Sequence, residues 1–323
     1  MSIGSIKAEC FVGFDTSNYT TSVAVADSDG RIVANFKCPL PVREGQRGIR
    51  QSDAVFEHTR NIPILAEKLK AFLAENGYSP IAVGVSVTPR DAEGSYMPCF
   101  LAGKAAASAF ASAINAPLYE FSHQNGHVMA AMYSSGHAEI LESAPFVAFH
   151  VSGGTTEALY VETEKSGIKV TTAYETEDIN CGQLIDRVGV AMGLSFPCGI
   201  EMEKLASRYN GKIYKHPVCV RDTGCSLSGA ENIALKIYGE TGDKEAVAAF
   251  VFDFIKRTLI AIAKKMEERY GKTEMLFAGG VMSNSLMRED ISKRFSAHYA
   301  EPAFSADNGA GIALLCRRAY LVK

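Results

Sequence analysis

The chain has 323 residues, 47% of them hydrophobic and 21% charged, with a formal net charge of −3. That length suits two domains of roughly 150 residues each better than one core, and the composition excludes a disordered or membrane protein. The mildly acidic balance excludes a broad nucleic-acid-coating surface while leaving room for a local basic patch. Apolar runs such as Ala105 to Ala113 are broken well short of the ~18 residues that a membrane span needs. The opening MSIGSIKAEC has no apolar signal core, so secretion is not expected. Eight cysteines without a CxxC pair read as reduced thiols, which points to a cytoplasmic protein. The close pair Cys219 and Cys225 invites a disulfide, and that compartment argues against it.

In chain order, strands are expected at Cys10 to Asp15 and Thr20 to Ala26. A hairpin turn at Asp27-Ser28-Asp29-Gly30 leads into a third, Arg31 to Lys37. A largely helical stretch follows from Ser52 to Asn76, with Pro63 inside it as a kink. Then come strand Ile81 to Val87, helix Phe100 to Ile114, strand Pro117 to Phe121 and a helix opening at His123. From Phe146 the pattern repeats: Phe11-Val12-Gly13-Phe14 aligns with Phe146-Val147-Ala148-Phe149 at an offset of 135 positions. At that offset Ser17 meets Ser152, and Thr20-Thr21 meets Thr155-Thr156. The second copy continues with helices Gln183 to Met192 and Ile200 to Tyr209 and an irregular stretch, Asn210 to Ser228. A long helix, Lys244 to Tyr270, precedes strand Met275 to Ala278, helix Asn284 to Phe295, strand Ala297 to Ala300 and a last helix, Gly309 to Tyr320. Hairpin strands followed by alternating helices and strands, given twice, predict an α/β fold of two related lobes, 1–144 and 145–323. The hairpin turns would face each other across a central cleft, a geometry suited to holding phosphates.

Four stretches carry candidate chemistry. In His123-Gln124-Asn125-Gly126-His127 the histidines lie one helical turn apart, behind Ser122 as N-cap. They form either a transition-metal pair awaiting a carboxylate or two polar residues flanking a helix start. Val151-Ser152-Gly153-Gly154-Thr155-Thr156 is either an anion-binding turn of converging N–H groups or a plain hairpin. Ala278-Gly279-Gly280-Val281-Met282-Ser283-Asn284 and Ala306-Asp307-Asn308-Gly309 both open helices, where a ligand or an ordinary cap would sit. Asp178, Asp186, Glu201 and Glu203 are either a ribose or metal shelf or a solvated face.

Phe11 to Val25, HQNGH, VSGGTT, Asp186 with Gly199, SLSG at Ser226 to Gly229, AGGVMSN and ADNGAGIA occur in the order and spacing of one family. Over nearly its whole length the chain resembles TsaD, the glycoprotease family long labelled O-sialoglycoprotein endopeptidases. The resemblance implies the duplicated actin-like ATPase fold shared with acetate kinase, sugar kinases and Hsp70. It also implies transfer of a threonylcarbamoyl group from threonylcarbamoyl-AMP to N6 of adenosine 37 of tRNA. Carried over by motif position, His123, His127 and Asp307 would hold one divalent iron or zinc. ATP, ADP or the acyl-adenylate would lie against His150, Val151, Ser152, Gly153, Gly154, Asp186, Gly199, Glu203, Gly279, Gly280 and Asn284. Ser152, Gly153 and Asp15 would serve at the reacting end. Implied partners are a TsaB-like paralogue, a TsaE-like ATPase and tRNA, with no membrane.

Four departures from the family pattern mark a divergent paralogue. Tyr19 and Thr20 stand where an acidic pair is usual, Thr155 replaces a histidine, and Glu231 replaces a lysine. A glycine-rich GPG loop becomes Thr88-Pro89-Arg90-Asp91-Ala92-Glu93-Gly94, in which proline fixes φ. Alternatives are therefore a different carbamoyl acceptor or a nucleotide- and metal-binding scaffold. Proteolysis is disfavoured, because a zincin helix needs Glu beside the first histidine and position 124 is Gln. A sugar or acetate kinase has no use for the histidine pair.

Overall fold

Three strands open the chain in the computed structural model, which describes residues 7–17, 19–41, 49–222, 224–305 and 309–322. They are β1 (Ala8–Ser17), β2 (Thr20–Asp27) and β3 (Ile32–Pro39). β1 and β2 are buried along nearly their whole length, which explains their near-continuous apolar runs in place of alternation. The β2–β3 turn closes as expected: Arg31 N donates to Asp27 Oδ1 at 2.8 Å. Next come α1 (Gln51–Glu75), β4 (Tyr78–Thr88), α2 (Phe100–Ala113), β5 (Leu118–Ser122), α3 (His123–Ser134) and a short α4 (Ala138–Glu142). Pro63 lies inside α1 without ending it. The sheet order is β3-β2-β1-β4-β5, with β1 antiparallel to β2 and parallel to β4, and β4 parallel to β5.

The second copy runs β6 (Phe146–Val151), β7 (Thr156–Glu164), β8 (Gly167–Thr176), α5 (Cys181–Ala191) and α6 (Gly199–Arg208). It continues with β9 (Cys219–Val220), β10 (Gly224–Ser226), α7 (Ser228–Thr241), α8 (Lys244–Tyr270) and β11 (Met275–Ala278). After a 3₁₀ turn at Gly280–Ser283 come α9 (Ser285–Ser292), β12 (Ala297–Tyr299) and α10 (Ala310–Leu321). Its sheet is β12-β11-β6-β7-β8-β10-β9. With β9 and β10 set aside, strand by strand this is the order of the first sheet, so the repeat read from sequence is a repeat of topology.

Two helices escaped the sequence reading. α7 buries only Ala230, Ala234 and Ile237, small residues that leave a faint helical period, and α4 is a single short turn. The stretch expected to be irregular carries the two short strands β9 and β10 at its end. α9 stops at Ser292, three residues before the expected Phe295.

The chain forms two compact units. One comprises Met1–Gly136, Glu162–Val170 and Ala303–Lys323, the other His137–Val161 and Thr171–Pro302. In the first unit α10, from the end of the chain, packs against α3, β1, β2 and β4. A Cβ at Gly311 would stand 1.8 Å from the Gly126 carbonyl oxygen, so only glycine lets α10 approach α3 this closely. In the second unit α8 runs through the core, burying Phe250, Phe254, Ile255, Leu259, Ile262 and Met266.

All eight cysteines are free. Cys219 faces Ser226, and Cys225 faces Val220, across the β9–β10 pair, so the two thiols are out of register for a bridge. Burial pushes the Cys10, Cys181 and Cys225 thiols up to about 12, which keeps them protonated and inert at neutral pH. Among the described residues no helix is long and apolar enough to cross a membrane.

Candidate functional site

In the first unit the candidate chemistry gathers at the carboxyl ends of three neighbouring parallel strands. β1 ends near Asp15, β4 near Ser86, and β5 runs straight into α3 at His123. Parallel strands present their ends on one side of a sheet, where ligands of open α/β sheets bind. Ser122 caps α3 as expected, its Oγ accepting from Asn125 N at 3.2 Å. His123 and His127 then fall on one helical face, their rings edge to face with centroids 4.3 Å apart. Both are half-buried. His123 Nδ1 lies 3.1 Å from Asp15 Oδ1, which also accepts from Ser86 Oγ. Asp15 is fully buried, and its Oδ2 has no partner among the described residues.

The loop that departs from the family pattern docks on this helix start. Pro89 O accepts from Gln124 N at 3.0 Å, and Asp91 Oδ2 accepts from Asn125 Nδ2 at 2.6 Å. Among the described residues no three His, Cys, Asp or Glu side chains converge on a metal position. Asp307 lies outside the described residues. The donor chemistry nevertheless fits a divalent transition ion, since two imidazoles one turn apart, one backed by a carboxylate, are the usual nitrogen half of such a site.

In the second unit the start of α5 and the turn after β11 meet the β6–β7 turn. Ser152 Oγ accepts from Gly154 N at 3.3 Å and Thr155 N at 3.1 Å, so two of the turn's amides are engaged by their own serine. Gly182, at the start of α5, donates its N–H to Ser152 O at 3.1 Å. Gly279 has φ of 101°, and a Cβ there would meet Val151 O at 2.2 Å, so its place is structural: it locks the β11 turn onto the end of β6. Gly153, Gly154, Gly199 and Gly280 are different, because a Cβ at any of them would meet open space. His150 Nδ1 stands 3.8 Å from Glu157 Oε1.

The carboxylates separate into distinct roles. Asp178 belongs to no shelf: Oδ1 accepts from Ile179 N at 2.7 Å and Leu227 N at 2.8 Å, and Oδ2 from Ser228 N at 3.1 Å. Burial alone would raise its pKa, but those bonds outweigh it and hold the carboxyl below its usual range, as a cap for α7. Asp186 accepts from Cys198 N at 2.8 Å, beside Gly199, and burial raises its pKa despite that bond. Glu203 Oε1 accepts from Ser285 N at 3.1 Å, which sets α6 against the start of α9. There Asn284 caps the helix through Oδ1, 3.0 Å from Met287 N. Its Nδ2 is buried without a partner among the described residues.

A groove of about 450 Å³ lies along the outer face of α6, lined by Phe196, Ile200, Lys204 and Arg208 among others. Of the residues singled out from sequence, Glu201 lines it, apart from the loops described above. Sequence reasoning missed Ser86 and Asp91. The one signal for Ser86 was a small hydroxyl near the end of the otherwise apolar run Ile81 to Val87.

The model of the TsaD family, described as tRNA N6-adenosine threonylcarbamoyltransferase, matches residues 41–314. A tRNA N6-adenosine threonylcarbamoyltransferase of Methanopyrus kandleri is 30% identical over 94% of this chain and 85% of its own. One from Streptococcus pneumoniae (strain Taiwan19F-14) is 30% identical over 89% and 84%. Among solved structures, full-length HypF in its phosphate- and nucleotide-bound form superposes with a TM-score of 0.62 at 11% identity, covering 98% of this chain and 56% of HypF. Component A of (R)-2-hydroxyglutaryl-CoA dehydratase from Acidaminococcus fermentans gives 0.57 at 12%, over 98% of this chain and 100% of that one. The ROK hexokinase of Thermus thermophilus gives 0.51 at 14%, over 97% and 98%. At such identities these structures establish the fold alone, the actin-like ATPase fold. The extent of the sequence match establishes more: the chain belongs to the TsaD family of acyl-transferring tRNA-modification enzymes.

Proposed function

We propose that the chain transfers a threonylcarbamoyl group from threonylcarbamoyl-AMP to N6 of a tRNA adenosine, using one divalent iron or zinc held by His123, His127 and Asp307. The observation that carries this reading is the half-buried imidazole pair on the first turn of α3, set at the ends of parallel strands in a TsaD-family chain. Support for Asp307 comes from its neighbour in sequence: a Cβ at Gly309 would stand 2.7 Å from the Gly13 carbonyl oxygen of β1, in the same unit.

The adenylate is assigned to the second unit. Asn284 Nδ2 is a buried donor awaiting an acceptor, which a purine or ribose supplies. Open space at Gly153, Gly154, Gly199 and Gly280 lets a ligand approach the backbone. Glu203 and Asp186 hold the neighbouring helix ends in place and offer their remaining lone pairs to ribose hydroxyls. Gly153 N–H is the turn amide assigned to phosphate, with Gly154 and Thr155 N–H joining it once Ser152 Oγ turns away. A divalent ion with an open coordination position supplies Lewis-acid polarisation of the acyl carbonyl when bound. The acceptor amine attacks that carbonyl, AMP leaves, and the protein's own share is orientation of the two substrates.

α1 and α2 pack against each other and expose Phe56, Ile64 and Leu101, an apolar surface on which a TsaB-like paralogue would dock. A second reading, a carbamoyl acceptor other than tRNA, draws on Glu231. Where the family has lysine, this carboxylate pairs with Arg187 at 3.1 Å and presents no cation.

The test supplies the purified chain with a TsaB-like paralogue, a TsaE-like ATPase, tRNA and threonylcarbamoyl-AMP, and digests the tRNA for mass spectrometry. Threonylcarbamoyladenosine is the expected product. Donor consumption that ignores tRNA would favour the second reading, and no donor consumption at all would leave a scaffold.

A further inference from the structure

We infer that Asp15 is the positioning residue of His123, holding the ring as its Nδ1–H tautomer so that Nε2 is the nitrogen that ligates. This rests on the proposed reading of His123 as a metal ligand, and it gives Asp15 a role other than contact with the reacting group.

Three observations carry it. Oδ1 of Asp15 lies 3.1 Å from His123 Nδ1. A carboxylate oxygen only accepts, so the proton in that contact sits on Nδ1, and in the neutral ring the lone pair is then at Nε2. Oδ1 also takes the Ser86 hydroxyl, which leaves the carboxylate little freedom to turn. The residue is fully buried while Oδ2 has no partner among the described residues. Leaving a carboxylate oxygen orphaned away from water is unfavourable, so this residue is poorly explained as a plain core residue.

The topology explains why these three meet. β1, β4 and β5 are adjacent in the sheet and parallel, so Asp15, Ser86 and His123 come from neighbouring strand ends. A ligating histidine usually gives its other ring N–H to such an acceptor, and loss of the acceptor weakens metal affinity about 10–100-fold.

The test uses the full-length chain labelled with ¹⁵N, which has seven histidines, with Zn²⁺ as the probe. Long-range ¹H–¹⁵N correlation on the metal-free protein, with His123 assigned by its loss in His123→Ala, reads the tautomer directly. Expected are protonated Nδ1 and bare Nε2 in the wild type, and a mixed or Nε2–H ring in Asp15→Ala. Zn²⁺ affinity by calorimetry should fall about 10–100-fold in Asp15→Ala, and less in the isosteric Asp15→Asn. Should Asp15→Ala not fold, Asp15→Asn and Ser86→Ala give the same two readouts with smaller shifts. An Nε2–H ring in the wild type, or Zn²⁺ affinity in the folded variants within about twofold of wild type, overturns the inference. A wild type that binds no Zn²⁺ removes the metal reading instead, and the tautomer then decides the inference alone.

Discussion

At the residue scale, His127 and Asp253 make opposite predictions. His127 is half-buried on α3, one turn after His123. His127→Ala should therefore lower metal content towards zero, measured by elemental analysis, while unfolding stability changes by less than about 1 kcal/mol. Asp253 on α8 is a structural group. It takes hydrogen bonds from Arg257 Nε at 2.7 Å and Lys215 Nζ at 3.0 Å, and Arg257 reaches on to His216 O at 2.8 Å. These contacts tie the irregular stretch after α6 to the core helix. Burial would raise the Asp253 pKa, but the Arg257 and Lys215 bonds overcome it and set the carboxyl below its usual range. A depressed carboxylate contributes stability that is present above its unfolded pKa of about 3.9 and is lost as pH falls through the folded value. Asp253→Asn should thus cost roughly 1–3 kcal/mol near pH 7 and flatten the acid limb of the stability curve below about pH 4. Denaturant titrations across that pH range would show both effects.

At the element scale, the α3–α10 contact places residues at the candidate metal site without touching it. Gly311 sits against the Gly126 carbonyl, one residue before His127. Gly311→Ala forces its methyl into the α3 backbone at Gly126 and Ala130, a clash that side-chain rotation cannot relieve. We expect a loss of roughly 1–3 kcal/mol together with weaker metal binding, because the turn that carries both imidazoles must shift. Amide exchange should accelerate in α3 and α10 together, whereas α8 should keep its protection. Accelerated exchange confined to α10 would mean that the two helices are not coupled.

At the scale of the whole molecule, the interleaving of the chain decides what can be cut. α10 covers β1, β2 and β4 and packs along α3, so the first unit is completed by the last residues of the sequence. A chain ending at Pro302 should lose the cooperative melting of the first unit and expose its apolar sheet to a dye probe. The second unit, which needs nothing after Pro302, should retain its own transition. A truncated chain with both transitions intact would contradict this account.

Read alone, the sequence was enough to establish the duplication, the long helix α8, the capped helix of the histidine pair and membership of the TsaD family. Each is written in local periodicity, in cap residues or in motifs spaced along the chain, and such signals survive without coordinates. The tertiary structure alone decided that Asp15 and Ser86 stand behind His123, that Asp178 braces the start of α7 and Asp186 that of α6, and that α10 completes the first unit. It also separated Gly279, held by backbone contact, from Gly153 and Gly280, which face open space. The physical reason is that those relations depend on which strands lie side by side and which backbones touch. Residues more than seventy positions apart, such as Asp15 and Ser86, become neighbours through sheet order, and no local pattern records it.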